Sequence, residues 1–254
     1  MTSLFNSNSI KLDSKLVKSA ILKTNTYLRP QPSLFYYPGL TSKPIWDKNQ
    51  FEITKVLESN FSTIREEYLN AKYSSNSNST ENKGRLVSDY CLINNEHSLH
   101  KGNWNWYSYI QKGKKNNENF KNFFPKTYNI LNSLDNIIYD IPFAYSFFSE
   151  LSNNSEIDYH YGPCNLRLRV HLGIDIPDTQ DCYINIAENK YFWENGKCLI
   201  FDDSYIHSVV NNFNKSRTIL LIDIWHPELY KEEIEAFVSM FNKGKQMIDL
   251  NKKI

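Results

Sequence analysis

Residues Asn165–Ile176, with the sequence NLRLRVHLGIDI, carry the clearest structural pattern in this chain. Its residues alternate in character, which predicts a β-strand, because successive side chains of a strand point to opposite faces. One face is entirely aliphatic, and we expect it to lie in the core: Leu166, Leu168, Val170, Leu172, Ile174 and Ile176. The other face carries Arg167, Arg169, His171, Gly173 and Asp175. That second face lies either in solvent, as on many antiparallel strands, or along a functional site.

The rarity of arginine favours a functional site on this strand. The chain has 254 residues, with 29 Lys+Arg against 28 Asp+Glu. Only six of the cations are arginines: Arg29, Arg65, Arg85, Arg167, Arg169 and Arg217. Lys supplies most of the positive charge, whereas Arg offers a planar, bidentate cation that Lys does not replace. Two arginines beside a His and a Gly, which leaves space above the strand, therefore indicate a site.

Charge and composition exclude several classes of protein. The net charge of +1 argues against nucleic acid or an anionic membrane as a partner, since both require a concentrated basic surface. The chain has no run of about 18 apolar residues, so no transmembrane helix is expected, and its first residues lack the pattern of a secretory signal. The cysteines form no CxxC pair and are expected to be reduced thiols: Cys91, Cys164, Cys182 and Cys198. We therefore expect a cytoplasmic protein.

Short apolar segments separated by Asn, Gly and Asp turns fill the second half of the chain. They lie at 165–176, 182–186, 190–193, 197–201, 205–210 and 217–225. Short strands with turn signals between them predict an antiparallel jelly roll or barrel. Upstream, apolar residues at helical spacing predict helices at 12–21 and 48–72, with a break near Asn60, before a polar loop at 73–84. Pro227 is expected to begin a C-terminal helix.

Four of the six histidines lie in the second half of the chain, and three of them are candidate ligands: His160, His171 and His207. A single His is more often structural than a metal ligand, but two His on separate strands of a jelly roll are typical of a non-haem Fe(II) oxygenase. The carboxylate of the usual His-x-Asp/Glu pattern is missing, because the residue two after His160 is Gly162. Spacing leaves three alternatives open: a three-His site, a two-His site without a protein carboxylate, and a zinc-binding or purely structural arrangement.

Three blocks of sequence, in order and with compatible gaps, carry a specific resemblance. They are HYGPCNLRLRVHLGIDIP at 160–177, WENGKCLIFDDSYIH at 193–207 and RTILLIDIWHPEL at 217–229. Over roughly 145–230 the chain resembles the aspartyl/asparaginyl β-hydroxylase family of Fe(II)- and 2-oxoglutarate-dependent dioxygenases. The resemblance extends more weakly into the upstream sequence.

The resemblance implies a fold and a domain organisation. The fold of the family is a double-stranded β-helix, which agrees with the predicted jelly roll. We therefore expect an α+β protein, mainly β, with N-terminal supporting helices and a C-terminal helix. A single dioxygenase domain over 1–254 would comprise a mainly helical region at 1–100, the double-stranded β-helix core at 101–230 and the C-terminal helix at 231–254.

The resemblance also implies which residues bind the metal and the cosubstrate. His160 and His207 correspond to the two iron ligands, and Gly162 matches the position where this family has Gly in place of the usual carboxylate. Arg217 corresponds to the cation that binds the distal carboxylate of 2-oxoglutarate, with Ser149 as its hydroxyl partner. His171 corresponds to the residue that contacts this cosubstrate near the metal.

On the substrate side, Arg169 and Arg167 resemble the residues that hold the carboxylate of the target side chain. Trp104 falls where the family places an aromatic residue near the active site. Arg provides a forked, charge-assisted pair for a carboxylate. A target carboxylate held by Arg169 would place its β-carbon at a fixed reach from the iron, which favours β-hydroxylation of an Asp or Asn group.

The implied reaction hydroxylates an unactivated carbon, consumes 2-oxoglutarate and O2, and releases succinate and CO2. The substrate would be an Asp- or Asn-containing peptide, a carrier-bound intermediate or a free amino acid, with no nucleic acid or membrane as partner. Three alternatives stay open. They are hydroxylation of another carboxylate-bearing small molecule or an acyl chain, halogenation at the open ligand position, and a non-catalytic jelly-roll binding module.

Three acidic residues near the site have competing interpretations. Asp202 and Asp203 either orient His207 through hydrogen bonds or cap their own turn. Asp158 could replace the missing carboxylate, but the match to the family argues against it. Cys164, close to His160, is expected to be a small buried thiol.

Overall fold

The computed structural model describes residues 29–74, 85–90 and 100–251. The helix expected at 12–21, most of the polar loop expected at 73–84, and Cys91 lie outside the described residues. The described helices are α1 (Glu52–Ser59), α2 (Phe61–Ser74), α3 (Asn117–Phe123), α4 (Pro125–Asn132) and α5 (Lys231–Asn251), with a 3-10 turn at Lys48–Gln50. None of these helices has the length and apolar character needed to cross a lipid bilayer.

The described part of the chain contains twelve β-strands. They are β1 (Ile45–Trp46), β2 (His100–Lys101), β3 (Trp104–Gln111), β4 (Lys114–Lys115), β5 (Ser146–Leu151), β6 (Ser155–His160), β7 (Arg167–Asp175), β8 (Cys182–Ile186), β9 (Asn189–Tyr191), β10 (Cys198–Phe201), β11 (His207–Asn211) and β12 (Arg217–Trp225). The six segments predicted from the second half of the sequence correspond to β7 through β12.

The strands form two antiparallel sheets that face each other. The large sheet has the order β1-β10-β7-β12-β5-β3-β4, and the small sheet has the order β2-β6-β11-β8-β9. Along the chain, β5, β7, β10 and β12 belong to the large sheet, whereas β6, β8, β9 and β11 belong to the small one. This alternation between sheets is the connectivity of a double-stranded β-helix, so the predicted fold class is confirmed.

Strand β7 lies in the middle of the large sheet, between β10 and β12, and both of its faces are covered. The aliphatic residues Leu168, Val170 and Leu172 have no exposed surface and pack in the core beneath the helices. On the opposite face, Arg167 and His171 are also buried, because the small sheet covers this side. The solvent alternative for the second face is therefore wrong, and the polar residues line the interior of the barrel.

Helices α1 and α2 pack on the outer face of the large sheet. The helical pattern predicted at 48–72 breaks at Asn60, as expected, where the backbone N–H donates to the carbonyl of Val56. Arg65 of α2 ties this layer to β7 by donating to the carbonyl of Ile174 at 3.0 Å. Further along α2, Lys72 pairs with the buried Glu150 of β5 at 2.8 Å. These contacts hold the strands that carry the interior site.

The C-terminal helix α5 begins at Lys231, the first residue of the expected 231–254 range, and not at Pro227, which lies in the preceding turn. The side chain of Glu233 accepts a hydrogen bond from the backbone N–H of Tyr230 at 2.9 Å, which caps one of the free N–H groups at the start of the helix. The cap, and not the proline, therefore determines where the helix starts.

Candidate functional site

Two histidines meet at one end of the small sheet. His160 ends β6 and His207 begins β11, and the two residues are register partners across this antiparallel pair. Opposing residues on neighbouring strands project to the same side, so their rings lie together, with centroids 4.0 Å apart. A β-bulge between His207 and Val209 shifts the register of β11 against β6 at this point.

Both rings of the pair have the same proton arrangement. Nδ1 of His160 lies 2.7 Å from the carbonyl oxygen of Asp158, and Nδ1 of His207 lies 2.9 Å from that of Tyr205. A carbonyl only accepts, so each Nδ1 carries the proton and each Nε2 keeps its lone pair. Burial lowers the pKa of His160 and lowers that of His207 well below its ordinary value. Two neutral imidazoles with free Nε2 atoms fit a metal site.

The position two residues after His160 has no room for a side chain. A Cβ on Gly162 would lie 2.4 Å from the Cγ and Oδ2 atoms of Asp203. The carboxylate of Asp203 therefore fills the space beside Gly162. Within the described ranges, no three His, Cys, Asp or Glu side chains are grouped so that they could hold a metal ion. A metal at the histidine pair would take its other ligands from small molecules.

Arg167 lies in a buried ion cluster beneath the histidine pair. Its Nε donates to Oδ1 of Asp203 at 3.2 Å and its Nη2 donates to Oδ2 of the same carboxylate. Its Nη1 donates to Asp223 at 2.8 Å and to the carbonyl of Phe143. All three guanidinium nitrogens of Arg167 have internal partners and its side chain is only 3% exposed, so Arg167 is not accessible to a substrate carboxylate. This geometry does not support the expected substrate contact.

Arg169 shares the same two carboxylates but is more open. Its three guanidinium nitrogens also face carboxylates: Nε donates to Oδ1 of Asp223 at 2.9 Å, Nη2 donates to Oδ2 of Asp223 at 3.3 Å, and Nη1 lies 3.4 Å from Oδ2 of Asp203. The side chain of Arg169 keeps 13% of its surface exposed, against 3% for Arg167. Although burial alone would raise the pKa of Asp203, the two guanidinium groups hold it well below its ordinary value. Two cations and two anions make this cluster neutral.

Asp202 and Asp203 have different roles. Oδ1 of Asp202 accepts the backbone N–H of Ser204 at 2.9 Å, which makes Asp202 the cap of its own turn. Burial raises the pKa of Asp202 to about 7. Neither carboxylate accepts from the ring of His207, whose Nδ1 hydrogen-bonds to Tyr205. Asp203 instead fixes the two arginines, and Asp223, which the sequence interpretation missed, completes the cluster.

Arg217 lies at the other end of the barrel interior, at the start of β12. Its side chain is 1% exposed. Nη1 lies 3.4 Å from the carbonyl of Ser149 and 3.5 Å from its hydroxyl, while Nε has no hydrogen-bond partner among the described residues. No carboxylate in the described ranges forms an ion pair with it. Burial lowers the pKa of Arg217 to about 10. A buried cation without a counter-ion is costly, so this position favours an anion.

Ser149 lies beside this cation, and Trp104, which was expected on the substrate side, contacts Ser149. Ser149 lies on β5, opposite Ile219 of β12. Its hydroxyl oxygen accepts the indole N–H of Trp104 at 2.9 Å. Because Trp104 and Arg217 both donate to this oxygen, the hydroxyl hydrogen of Ser149 is available to an acceptor.

His171 lies on β7, between Leu199 of β10 and Leu221 of β12. Its Nδ1 accepts the indole N–H of Trp193 at 3.2 Å, while its buried Nε2 has no partner in the described structure. The face of Trp193 also lies 4.5 Å from Cζ of Arg217. Trp193 is part of the block that carries the resemblance, but the sequence interpretation assigned it no role.

A continuous series of ring contacts joins the two ends of the site. The centroid distances are 4.0 Å for His160 and His207, 5.6 Å for His207 and Phe201, 4.9 Å for Phe201 and His171, and 6.1 Å for His171 and Trp193. The site is therefore elongated, with a neutral imidazole pair at one end and an uncompensated cation at the other. Such an arrangement can hold a metal and an anionic small molecule side by side.

A cavity of about 810 Å³ lies elsewhere in the molecule, between the start of α1 and α5. Trp46, Phe51, Trp225, Ile234 and Val238 are among the residues that line it. None of the predicted site residues contributes to its walls. The cavity is therefore separate from the histidine pair and from Arg217.

Comparison with known proteins agrees with the three sequence blocks. Residues 58–227 match the family model described as aspartyl/asparaginyl beta-hydroxylase. A Xenopus tropicalis protein, aspartate beta-hydroxylase domain-containing protein 2, is 30% identical over 238 residues, which cover 90% of this chain and 61% of that protein. The Mus musculus aspartyl/asparaginyl beta-hydroxylase is 33% identical over 210 residues, which cover 80% of this chain and 26% of that protein. The predicted resemblance is confirmed.

This chain thus spans about three-fifths of the length of the first relative and about a quarter of the second. Among solved structures, a Pseudomonas putida prolyl-4-hydroxylase superposes with a TM-score of 0.39 and 8% sequence identity, over 68% of this chain and 98% of that one. This structural similarity is too low to support an inference about function.

Proposed function

Because the chain belongs to the aspartyl/asparaginyl β-hydroxylase family, we propose that it is an Fe(II)- and 2-oxoglutarate-dependent dioxygenase. The proposed reaction is hydroxylation of the β-carbon of an Asp or Asn group, with release of succinate and CO2. The observation that carries this proposal is the buried guanidinium of Arg217, which has no counter-ion in the described structure and lies in one continuous site with the histidine pair.

His160 and His207 would hold the iron through Nε2, since their Nδ1 atoms are bound to backbone carbonyls. When bound, Fe(II) supplies O2 activation and the oxidising power for cleavage of the C–H bond. The protein keeps both imidazoles neutral through burial and fixes their orientation through their own strands. Gly162 supplies no third protein ligand, so the remaining ligands of the iron would be small molecules.

The cosubstrate 2-oxoglutarate would lie between the histidine pair and Arg217. Its distal carboxylate would neutralise Arg217 and accept the free hydroxyl hydrogen of Ser149. His171 would donate from Nε2 to an oxygen of the cosubstrate nearer the metal. Trp104, through its hydrogen bond to Ser149, would orient that hydroxyl.

For the target side chain, we propose a contact with Arg169, the more open member of the ion cluster. Arg167 would act indirectly by holding Asp203 and Asp223, the two carboxylates that fix Arg169. The target group would belong to an Asp- or Asn-containing peptide, a carrier-bound intermediate or a free amino acid. Holding its carboxyl or amide group by Arg169 would present the β-carbon toward the histidine pair.

The halogenase alternative would require chloride to occupy the ligand position beside Gly162. That space adjoins Asp203, whose charge is balanced by Arg167 and Arg169. Oxygenation of the substrate in chloride buffer without any halogenated product would exclude this alternative.

The test of this proposal compares two arginines. Arg217→Lys removes the forked donor from the cosubstrate end, and we expect it to weaken 2-oxoglutarate binding by about tenfold or more. Arg65→Lys, on α2, changes an arginine whose partners are Ile174 and Asp175 and should bind like wild type. Binding would be measured by calorimetry on Mn(II)-loaded protein. Wild-type protein that fails to bind 2-oxoglutarate, or Arg217→Lys with unchanged affinity, would contradict the assignment.

Hydroxylation itself would be tested by mass spectrometry. Wild-type protein with Fe(II), 2-oxoglutarate and O2 should add one oxygen to an Asp or Asn residue of a peptide or amino-acid panel. The addition should require 2-oxoglutarate and should be lost in His207→Ala. Turnover of 2-oxoglutarate that never oxidises any Asp or Asn substrate would point to another carboxylate-bearing substrate.

A further inference from the structure

Trp193 connects two residues of the proposed cosubstrate pocket that lie on different strands. It lies between β9 and β10 and is 5% exposed. Its indole N–H reaches Nδ1 of His171 on β7 at 3.2 Å, and its ring centroid lies 4.5 Å from Cζ of Arg217 on β12. One side chain therefore contacts both His171 and Arg217.

The hydrogen bond from Trp193 determines which nitrogen of His171 carries the proton. An indole N–H can only donate, so Nδ1 of His171 must accept. In a neutral imidazole the proton then lies on Nε2, across the ring from the indole. That Nε2 is buried and has no acceptor in the described structure. His171 is therefore held as a hydrogen-bond donor, the opposite tautomer from His160 and His207.

The ring face of Trp193 acts on Arg217. No carboxylate in the described ranges pairs with this guanidinium, and its Nε lacks a partner there. An aromatic face attracts a cation, and the attraction is stronger where both groups are removed from water. The indole thus steadies the buried cation without neutralising it, so Arg217 keeps its full charge for an anionic ligand.

The loop after Trp193 is fixed against β7 at Gly173. The backbone N–H of Gly196 donates to the carbonyl of Gly173 at 2.9 Å, and the N–H of Gly173 donates to the carbonyl of Lys197 at 3.1 Å. Asn195 bonds to both the N–H and the carbonyl of Ile176. These bonds hold the indole at a set distance from the same strand that carries His171.

We propose that Trp193 is a positioning residue of the cosubstrate pocket. Its N–H holds His171 as an Nε2–H donor, and its ring supports the guanidinium of Arg217. The proposal rests on the proposed binding of 2-oxoglutarate between these two residues. Trp193 acts through His171 and Arg217, and no contact between Trp193 and substrate or iron is required.

The first experiment determines the tautomers directly, without metal or cosubstrate. Nitrogen NMR of metal-free protein with 15N-labelled histidine should show His171 as the Nε2–H form, and His160 and His207 as the Nδ1–H form. Trp193→Phe, which keeps a ring but loses the N–H, should give a mixture of tautomers at His171 alone. A wild-type His171 protonated at Nδ1, or a His171 signal unchanged in Trp193→Phe, would overturn the proposal.

The second experiment measures 2-oxoglutarate binding to Mn(II)-loaded protein by calorimetry. Loss of one neutral hydrogen bond should weaken binding of Trp193→Phe by about fivefold to tenfold. Trp193→Leu also removes the aromatic face and should weaken binding further. The matched control is Trp46→Phe, a tryptophan that is 6% exposed and whose N–H has no partner in the described structure. It should bind within twofold of wild type.

A double-mutant cycle separates positioning from a general packing effect. In a His171→Ala background, Trp193→Phe should change the affinity for 2-oxoglutarate by less than twofold, because the residue it acts through is gone. An equal loss in both backgrounds would overturn the proposal. If wild-type protein does not bind 2-oxoglutarate, the proposed function fails and so does this role in the pocket. The NMR result then still decides whether Trp193 controls the tautomer of His171.

Discussion

The guanidinium groups of Arg169 and Arg217 differ in their counter-ions, and this difference determines what each can bind. Arg169 shares Asp203 and Asp223 with Arg167, so its charge is already balanced. Among the described residues, Arg217 has only an aromatic face and the oxygens of Ser149 as partners. An anion therefore gains more from Arg217, while Arg169 is better suited to orienting a group by hydrogen bonds.

The balance of this ion cluster is testable at a single residue. Asp203→Asn removes one of two anions that face two buried cations, and we expect it to lower the free energy of unfolding by about 3–5 kcal/mol. Asp175→Asn is the matched control, since the Asp175 and Arg65 side chains keep 33% and 40% exposure, and it should cost less than about 1 kcal/mol. Urea unfolding measures both. Equal losses of free energy of unfolding in the two variants would show that the buried ion cluster contributes no more to stability than the exposed ion pair does.

At the scale of elements, the loop between β9 and β10 is positioned by one glycine of β7. A Cβ on Gly173 would meet the backbone carbonyl oxygen of Glu194 at 2.2 Å, so a side chain there must displace the loop. Gly173, which was predicted to leave space above the strand, thus makes room for the backbone of this loop and not for a ligand. The position of the indole of Trp193 depends on this close approach between the loop and Gly173.

Gly173→Ala should therefore weaken 2-oxoglutarate binding by about tenfold, because moving the loop moves the indole away from His171. Calorimetry on Mn(II)-loaded protein measures the affinity, and far-ultraviolet circular dichroism checks that the variant is folded. Gly244→Ala on α5 is the control, since its added Cβ meets nothing within 4 Å. It should bind like wild type and gain about 0.5–1 kcal/mol of helix stability. Wild-type affinity in folded Gly173→Ala would rule out this role of the loop.

At the scale of the whole molecule, the large sheet separates two cores. The helices cover its outer face, where Leu172 and Phe148 are buried, and the small sheet covers its inner face, where Phe201 and Leu221 are buried. The inner core is interrupted by the charged and polar residues of the site. Burying these groups is costly, and it makes the stability of the whole protein depend on pH.

Asp202 and Asp203 should give this pH dependence opposite signs. Burial raises the pKa of Asp202 to about 7, from an ordinary value of 3.8, so the folded state holds the proton more tightly and Asp202 destabilises the protein as pH rises from about 4 to about 7. The pKa of Asp203 is lowered in the folded state. Its stabilising effect is therefore present above pH 4 and is lost as pH falls.

Asp202→Asn separates the two effects, because the amide keeps an acceptor for the N–H of Ser204 and cannot ionise. The variant should exceed wild type in free energy of unfolding by a few kcal/mol at pH 8, at about 1.4 kcal/mol per unit of pKa shift, and by clearly less at pH 5. Urea unfolding at the two pH values measures the difference. The same difference in free energy of unfolding at pH 5 and at pH 8 would mean that Asp202 is ionised in the folded protein at both pH values.

Much of the fold follows from local patterns. The alternation in β7 and the turns around β8 through β12 locate these strands within one or two residues, since their side-chain periodicity is set along the chain. Strands β5 and β6 and helix α3 lie where the sequence pattern that would predict a strand or a helix is mixed or weak. Both β5 and β7 are buried on two faces, but β5 combines aromatic, polar and acidic residues, so its sequence alone does not distinguish strand from helix.

The strand-rich half, the family, and the residues proposed to hold metal and cosubstrate can be predicted from the sequence, because these depend on residue type and order. Which charges are compensated became visible only in the folded protein. Asp223 meets Arg169 across 54 positions of sequence, and Trp193 meets His171 across 22. Such pairings arise when two sheets close on each other, and no local pattern encodes them. For that reason Arg167 changed from an expected substrate contact to an internal support, and Trp193 was recognised from the structure alone.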